Sequence, residues 1–344
     1  MKTTTKVLFA LSTAALLTAG CDPQISGEQG NLTLTYDKGG SPGATGASPL
    51  AVGATLDYSA HLEGEKDKKV SFTSATSSDD SVILVDGVEG GLMTLEGIGE
   101  GEAVIDVDAD GPDGAITDAF SLDAATVDAL EFAHPCAPED EAVYLVDHDI
   151  NLHYKMRSEG RLAVGYGYYP VTLEPSDGAE LTDTTTNGLL PLQSSAEAGA
   201  VTVSSELEDA SEIELTFIEE GDIDGVQVFE EEFDLPTSVD NTLDLHLLPT
   251  VEGLLSAVEG PVPVCQSDIE IEVANDTPET CELAYGSAEG EEDSLFNLYE
   301  PNALAVTGKA EGTCEFTVTI PAANDGQGAD ASFSVDVLAD DDEA

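Results

Sequence analysis

Apolar and polar side chains alternate with a period of two along most of this sequence, and that pattern limits what the chain can fold into. In an extended strand successive side chains point to opposite faces, so alternation gives one face to a core and the other to water. The pattern runs through Leu32–Tyr36, Thr55–Leu62, Val70–Ala75, Val82–Val85, Ala103–Asp110 and Ile116–Leu122. It returns in Val143–Val146, Leu162–Tyr169, Ala200–Ser204, Ile213–Ile218, Val226–Phe229 and Leu243–Leu248, then in Ile269–Val273, Cys314–Ile320 and Ala331–Val337. Turn-forming clusters separate the segments, such as Asp37-Lys38-Gly39-Gly40-Ser41-Pro42-Gly43 and Asp110-Gly111-Pro112-Asp113-Gly114. No comparable helical periodicity occurs. Many short strands at this spacing predict an all-β chain of antiparallel sandwiches.

The charge balance is extreme: 70 acids stand against 10 bases in 344 residues, a formal net charge of −60. Phosphate backbones repel such a chain, which excludes nucleic acid as a partner. A 41% hydrophobic content still supplies enough apolar side chains for packed cores. The acids are dispersed, with short runs at Glu230-Glu231-Glu232 and Asp340-Asp341-Asp342-Glu343. Dispersed acids with few lysines match a high-salt environment, where screening shortens their repulsion to a few ångströms.

The first residues read as an address. Lys2 and Lys6 precede an uncharged apolar run, Val7 to Leu17, that is too short to cross a bilayer. The run ends in Leu17-Thr18-Ala19-Gly20-Cys21, which resembles the lipobox of bacterial lipoproteins. The resemblance implies cleavage after Gly20 and acylation of Cys21, so that several acyl chains hold the protein firmly to a membrane. The expected location is the bacterial cell envelope, with the body outside the bilayer.

Four further cysteines, Cys136, Cys265, Cys281 and Cys314, lie 129, 16 and 33 residues apart. An even number in an exported chain favours two disulfides in one of three pairings, and the long spacings fit no zinc or thioredoxin motif.

An internal repeat divides the body. Leu95-Glu96-Gly97-Ile98-Gly99-Glu100-Gly101-Glu102-Ala103-Val104-Ile105 aligns with Val306-Thr307-Gly308-Lys309-Ala310-Glu311-Gly312-Thr313-Cys314-Glu315-Phe316. Ala196 to Val203 forms a blurred third copy. The expected organisation is a signal peptide at 1–20, a tether at 21–30, sandwiches at 31–125, 126–235 and 236–338, and an acidic tail at 339–344.

Residues 50–110 resemble the bacterial Ig-like group 2 domain. The matching residues are Thr73-Ser74-Ala75-Thr76-Ser77-Ser78, Ser81-Val82-Ile83-Leu84-Val85 and Gly101-Glu102-Ala103-Val104-Ile105-Asp106-Val107, with Phe72 in place of the usual core tryptophan. The resemblance implies tandem Ig-like sandwiches of surface and periplasmic proteins, without a shared catalytic site. Aligning the first and third modules puts Cys281 at the position of Val82 and Cys314 at that of Ala103, both inward. This favours Cys281–Cys314, leaving Cys136–Cys265 to join the second and third modules. The alternative is Cys265–Cys281 with Cys136–Cys314.

Several segments carry candidate chemistry. Asp106-Val107-Asp108-Ala109-Asp110-Gly111, with Asp113, resembles the opening of a calcium loop, which needs oxygens at alternating positions. The twelfth position is Thr117 instead of a bidentate glutamate, so a hairpin with Ala103, Ile105, Val107 and Ala109 inward is the preferred reading. Weak Ca2+ binding is the alternative, and no other cofactor is expected. Gly221-Asp222-Ile223-Asp224-Gly225 reads as a tight turn. Gly39-Gly40-Ser41-Pro42-Gly43 satisfies the serine-hydrolase pattern G-x-S-x-G without the strand-turn-helix it requires. The histidines at 61, 134, 148, 153 and 246 form no H-E-x-x-H motif and read as solvent-facing or singly bonded. Tyr166, Tyr168 and Tyr169 in Gly165-Tyr166-Gly167-Tyr168-Tyr169-Pro170 read as a core strand, or else as a platform for stacking a sugar or peptide.

No nucleophile and base converge in the sequence, so no enzymatic activity is expected. The leading reading is a membrane-anchored surface lipoprotein, a stalk serving structure, adhesion or display towards a protein or glycan partner. The alternative is a lipoprotein that captures calcium, a glycan or a peptide through its loops.

Overall fold

The computed structural model describes residues 24–339, apart from 42, 113, 137–140, 183–187, 208, 229–236, 253–260, 266–268 and 286–301. The lipobox, Cys21 and the run 340–343 therefore lie outside the described residues. Among the described residues the regular secondary structure is nearly all strand. Its helical turns are Glu220–Asp222 and Ala323–Gly326, and no helix is long and apolar enough to cross a membrane.

The strands fall into three units. The first contains β1 (Gln24–Ser26), β2 (Leu32–Lys38), β3 (Leu50–Ala51), β4 (Thr55–Leu62), β5 (Glu65–Ser77), β6 (Ile83–Glu89), β7 (Leu92–Gly97), β8 (Gly101–Gly111) and β9 (Gly114–Ala125). One layer runs β2-β4-β7-β6 and the other β5-β8-β9-β3. The first part of β5 also pairs with β4, while its second part, from Ser71 onward, pairs with β8, so this strand passes from one layer to the other. A register shift between Phe72 and Ser74 marks the passage, and Phe72 is buried in the core.

The second unit contains β10 (Ala129–Ala133), β11 (Val143–Leu145), β12 (Asp149–Ser158), β13 (Arg161–Ala163), β14 (Thr172–Glu174), β15 (Ala179–Leu181), β16 (Leu189–Ser194), β17 (Gly199–Ser204) and β18 (Ile213–Ile218). Its layers are β10-β12-β16-β15 and β14-β17-β18-β11. The third contains β19 (Gly225–Val228), β20 (Thr237–Ser238), β21 (Thr242–Glu252), β22 (Pro261–Pro263), β23 (Glu272–Asn275), β24 (Cys281–Tyr285), β25 (Ala303–Gly308), β26 (Gly312–Ile320) and β27 (Ala329–Leu338). Its layers are β19-β21-β25-β24 and β23-β26-β27-β20. All three units thus share one strand order, and in each a short early strand lies parallel to the last one: β3 on β9, β11 on β18, β20 on β27.

The turn after each short strand is also the same. Val52 donates to Ala125 O, Val146 to Ile218 O and Val239 to Leu338 O. The next residue takes a left-handed conformation in each case: Gly53 (φ 90°), Asp147 (φ 57°) and Asp240 (φ 64°), residue types that tolerate it. The sequence repeat maps onto one corner of the fold. Gly97 and Gly308 end β7 and β25, and Gly101 (φ 142°) and Gly312 (φ 152°) begin β8 and β26.

Three details differ from the sequence reading. The segment 24–26, expected in a tether, is strand β1, because Gln24, Ile25 and Ser26 pair with Thr35, Leu34 and Thr33. The third unit begins ahead of residue 236, since β19 at Gly225–Val228 pairs with β21. Cys281 corresponds to Ile83, not Val82: Ile83 faces Gly97 as Cys281 faces Gly308. The fully buried Ile83 is therefore the counterpart of the fully buried Cys281.

Candidate functional site

The aspartate segment is not a calcium loop. Asp106, Asp108 and Asp110 lie in the continuous strand β8, paired residue by residue with β9 from Gly101↔Ala124 to Gly111↔Gly114. Ala103, Ile105, Val107 and Ala109 are buried, and the three aspartates point to solvent along one face. A strand spreads alternate carboxylates about 7 Å apart, whereas a calcium loop must curl them around one ion. Asp108 instead accepts a hydrogen bond from Ser74 Oγ at 2.8 Å. Asp113 lies outside the described residues, among which no group of three or more His, Cys, Asp or Glu is placed to hold a metal ion. At 221–225 a short turn forms, with Ile223 buried and Asp224 accepting from the Glu252 amide.

The tyrosine segment is neither a regular core strand nor an open platform. Only Arg161–Ala163 pairs with β12; the following residues leave the second unit and dock on the first. Val164 N donates to Pro49 O and accepts at its carbonyl from Ala51 N, both at 2.9 Å. Tyr166 and Thr55 exchange two backbone hydrogen bonds at 2.8 and 2.9 Å. The Tyr166 hydroxyl donates to Asp57 Oδ2 at 3.0 Å, and Thr94 donates to the other oxygen of this buried carboxylate at 2.7 Å. Burial and the neighbouring Asp57 push the Tyr166 hydroxyl up to about 12, so it remains a donor at neutral pH.

Close approach at this joint depends on Gly165, whose φ is 128°; a Cβ there would sit 2.6 Å from that of Ala54. Tyr154 donates to Tyr168 O, and its ring meets Tyr169 edge-on at 5.7 Å. Arg161 Nη1 reaches back 2.9 Å to Asp123 on β9. One continuous apolar cluster runs through the first and second units.

The second joint repeats the first. Val264, following β22, forms a parallel bridge with Val143 of β11, and Cys265 N donates to Val143 O at 2.8 Å. Val143, Leu145 and Ile218 of the second unit belong to the apolar cluster of the third. The disulfide Cys136–Cys265 spans this joint, while Cys281–Cys314 lies within the third unit; each has a Cα–Cα distance of 5.6 Å. Beside Cys136, His134 is buried and its Nδ1 lies 2.9 Å from the Tyr144 hydroxyl; burial lowers its pKa to about 4. Of the two expected readings, His134 is thus the singly bonded one, held in the core and not facing solvent. His148 Nδ1 meets Val146 O at 2.8 Å, and burial followed by the Lys155 charge lowers the pKa of His153.

Asp118 was not singled out in the sequence. It is buried on β9, where its carboxylate accepts from the backbone amides of Gln29, Asn31, Leu32 and Ala119, all at 2.9 Å. Burial alone would raise its pKa, but the four amides together hold it below the ordinary carboxylate value. The detectable signal is parity: Asp118 shares an alternating face with Ile116, Phe120 and Leu122.

Ser41 sits in the loop between β2 and β3, in no helix-opening turn.

No protein-family model and no curated protein matches this chain. Solved structures similar to it include domains 4–9 of the surface-layer protein SbsC, at 13% identity and a TM-score of 0.28 over 90% of this chain and 47% of that one. Another is a Bacteroides ovatus mixed-linkage glucan utilisation locus protein, SGBP-B, in complex with a heptasaccharide, at 7% identity and a TM-score of 0.26. That match covers 89% of this chain and 70% of the other. The chain spans about half the length of the surface-layer structure.

Proposed function

We propose that this chain is a non-enzymatic, lipid-anchored protein of the bacterial envelope, a stiff spacer built of three immunoglobulin-type sandwiches. The shared strand order supports the immunoglobulin-type reading, since it places the first, second, fifth and fourth strands of that fold in one layer and the third, sixth and seventh in the other. Residues 50–110 carry the likeness to the Ig-like group 2 domain, and Cys21 would carry the acyl chains. The observation that supports the spacer most directly is the repeated joint: each following unit adds a backbone segment to the short parallel strand of the unit before it. Backbone hydrogen bonds together with continuous apolar packing oppose bending at both joints. Two buried disulfides suit an oxidising, extracytoplasmic compartment.

Small-angle scattering of a chain beginning after residue 21 tests the shape. A compact globule of this size has a radius of gyration of about 20 Å; the spacer predicts a clearly larger value that varies little with solution conditions. A compact particle, or one whose dimensions spread as in a flexible chain, overturns the reading. Intact mass of the protein from its native membrane tests the anchor, with acylated Cys21 at the new amino terminus as the expected result.

A further inference from the structure

The two joints are alike in register but sealed differently. Val164 N donates to Pro49 O in the first as Cys265 N donates to Val143 O in the second, so Val164 and Cys265 correspond. Cys136 lies seven residues before Val143, and position 42 lies seven before Pro49. By sequence interval the first joint therefore has position 42 and Val164 where the second has Cys136 and Cys265, and so it lacks a cross-link between its two units. A cavity of about 10 Å3 sits there, lined by Ser41 from the first unit and by Tyr154, Met156, Gly165, Tyr169 and Gly188 from the second.

Three of the lining residues carry hydroxyls, Ser41, Tyr154 and Tyr169, and that of Tyr154 donates to Tyr168 O. Ser41 Oγ and Tyr169 OH are both buried and, among the described residues, neither makes a hydrogen bond. The backbone of Gly167 approaches the Tyr169 hydroxyl and offsets part of the pKa rise that burial causes, without meeting hydrogen-bond geometry. A cavity of roughly 10–15 Å3 holds one water molecule, provided that two or more polar groups line it. A buried hydroxyl without a partner is costly, because its lost contact with water is not replaced, so the site has both the room and the reason to be wet.

We propose that one ordered water molecule is built into the first joint, bridging Ser41 of the first unit to Tyr169 of the second, as the non-covalent counterpart of the Cys136–Cys265 cross-link. The water accepts from one hydroxyl and donates to the other.

A crystal structure of the chain from residue 22 onward, at about 1.5 Å or better, tests the site directly. The expected result is a single well-ordered peak within hydrogen-bond distance of both hydroxyls, lost in Tyr169→Phe. An empty cavity, or a direct hydrogen bond between the two hydroxyls, overturns the proposal. Urea unfolding of Ser41→Ala, Tyr169→Phe and the double variant gives a second measure. A shared water makes the effects non-additive, the double variant losing little more than the worse single one. Additive losses show that the two hydroxyls do not share a partner and overturn the bridge.

Discussion

Replacing Asp118 with alanine removes the acceptor of four backbone amides at once, and the structure ranks their losses. Gln29 and Asn31 lie on an exposed loop, so water can take over their hydrogen bonds. Leu32 is fully buried and Ala119 is 4% exposed, so their amides have no such replacement. An orphaned buried donor costs about 1–3 kcal/mol, and hydrogen bonds to a charged acceptor are at the strong end of the range. The expected loss is about 3 kcal/mol from the first unit. Asparagine does not rescue it: one carboxylate oxygen serves Gln29 and Ala119 while the other serves Asn31 and Leu32, so the amide NH2 must face two donors.

The sign of the accompanying pH dependence follows from the lowered carboxyl pKa. The stabilisation is complete above the unfolded value, near 3.8, and is lost as pH falls through the folded one. Urea unfolding followed by amide exchange in β2 and β9 measures both effects. If the alanine and asparagine variants unfold within about 0.5 kcal/mol of the parent, a scatter typical of surface changes, the reasoning about orphaned amides is refuted.

His134 has a folded pKa of about 4 against 6.5 unfolded, so the unfolded chain binds the extra proton between those values. Stability should fall by about 3 kcal/mol as pH drops from 7 to 4, and His134→Phe should flatten that part of a urea-midpoint-against-pH curve. Alanine at both Cys281 and Cys314 reopens a loop of 33 residues, worth about 4 kcal/mol in chain entropy. Differential calorimetry should place that loss in the third unit and leave the first unit's transition unmoved. Because 70 acids repel one another across so few bases, the melting temperature should rise between dilute buffer and molar NaCl; a constant value would show that the acids are already spaced beyond mutual influence.

The alternation in the sequence anticipated the hairpin of β8 and β9 down to which residues point inward, because a two-sided strand reports its faces directly. The glycines at 97, 101, 308 and 312 were likewise legible, since only a shared backbone corner needs them at that interval. The short parallel strands β3, β11 and β20 were not legible, because two or three residues are too few to display a period. The tyrosine segment misled for another reason. Its alternation runs on from Leu162, but after Ala163 the partner on one side changes from β12 to the preceding unit, and local pattern carries no record of which chain segment lies across a hydrogen bond. Asp118 broke the apolar parity of its strand, and three of its four amide partners lie almost ninety residues away.

The Cys136–Cys265 bond also fixes how the molecule would respond to a pull between its two ends. Tension arriving at Cys136 passes through sulfur to Cys265 and bypasses the chain between them, 129 residues in sequence separation. Most of the second unit and the opening strands of the third therefore carry no load, and about 450 Å of contour length stays locked away, at roughly 3.5 Å for each residue. Only the first unit, β10 and the closing part of the third outside the Cys281–Cys314 loop can lengthen under force, so the middle of the chain behaves as a fixed link between two extensible ends.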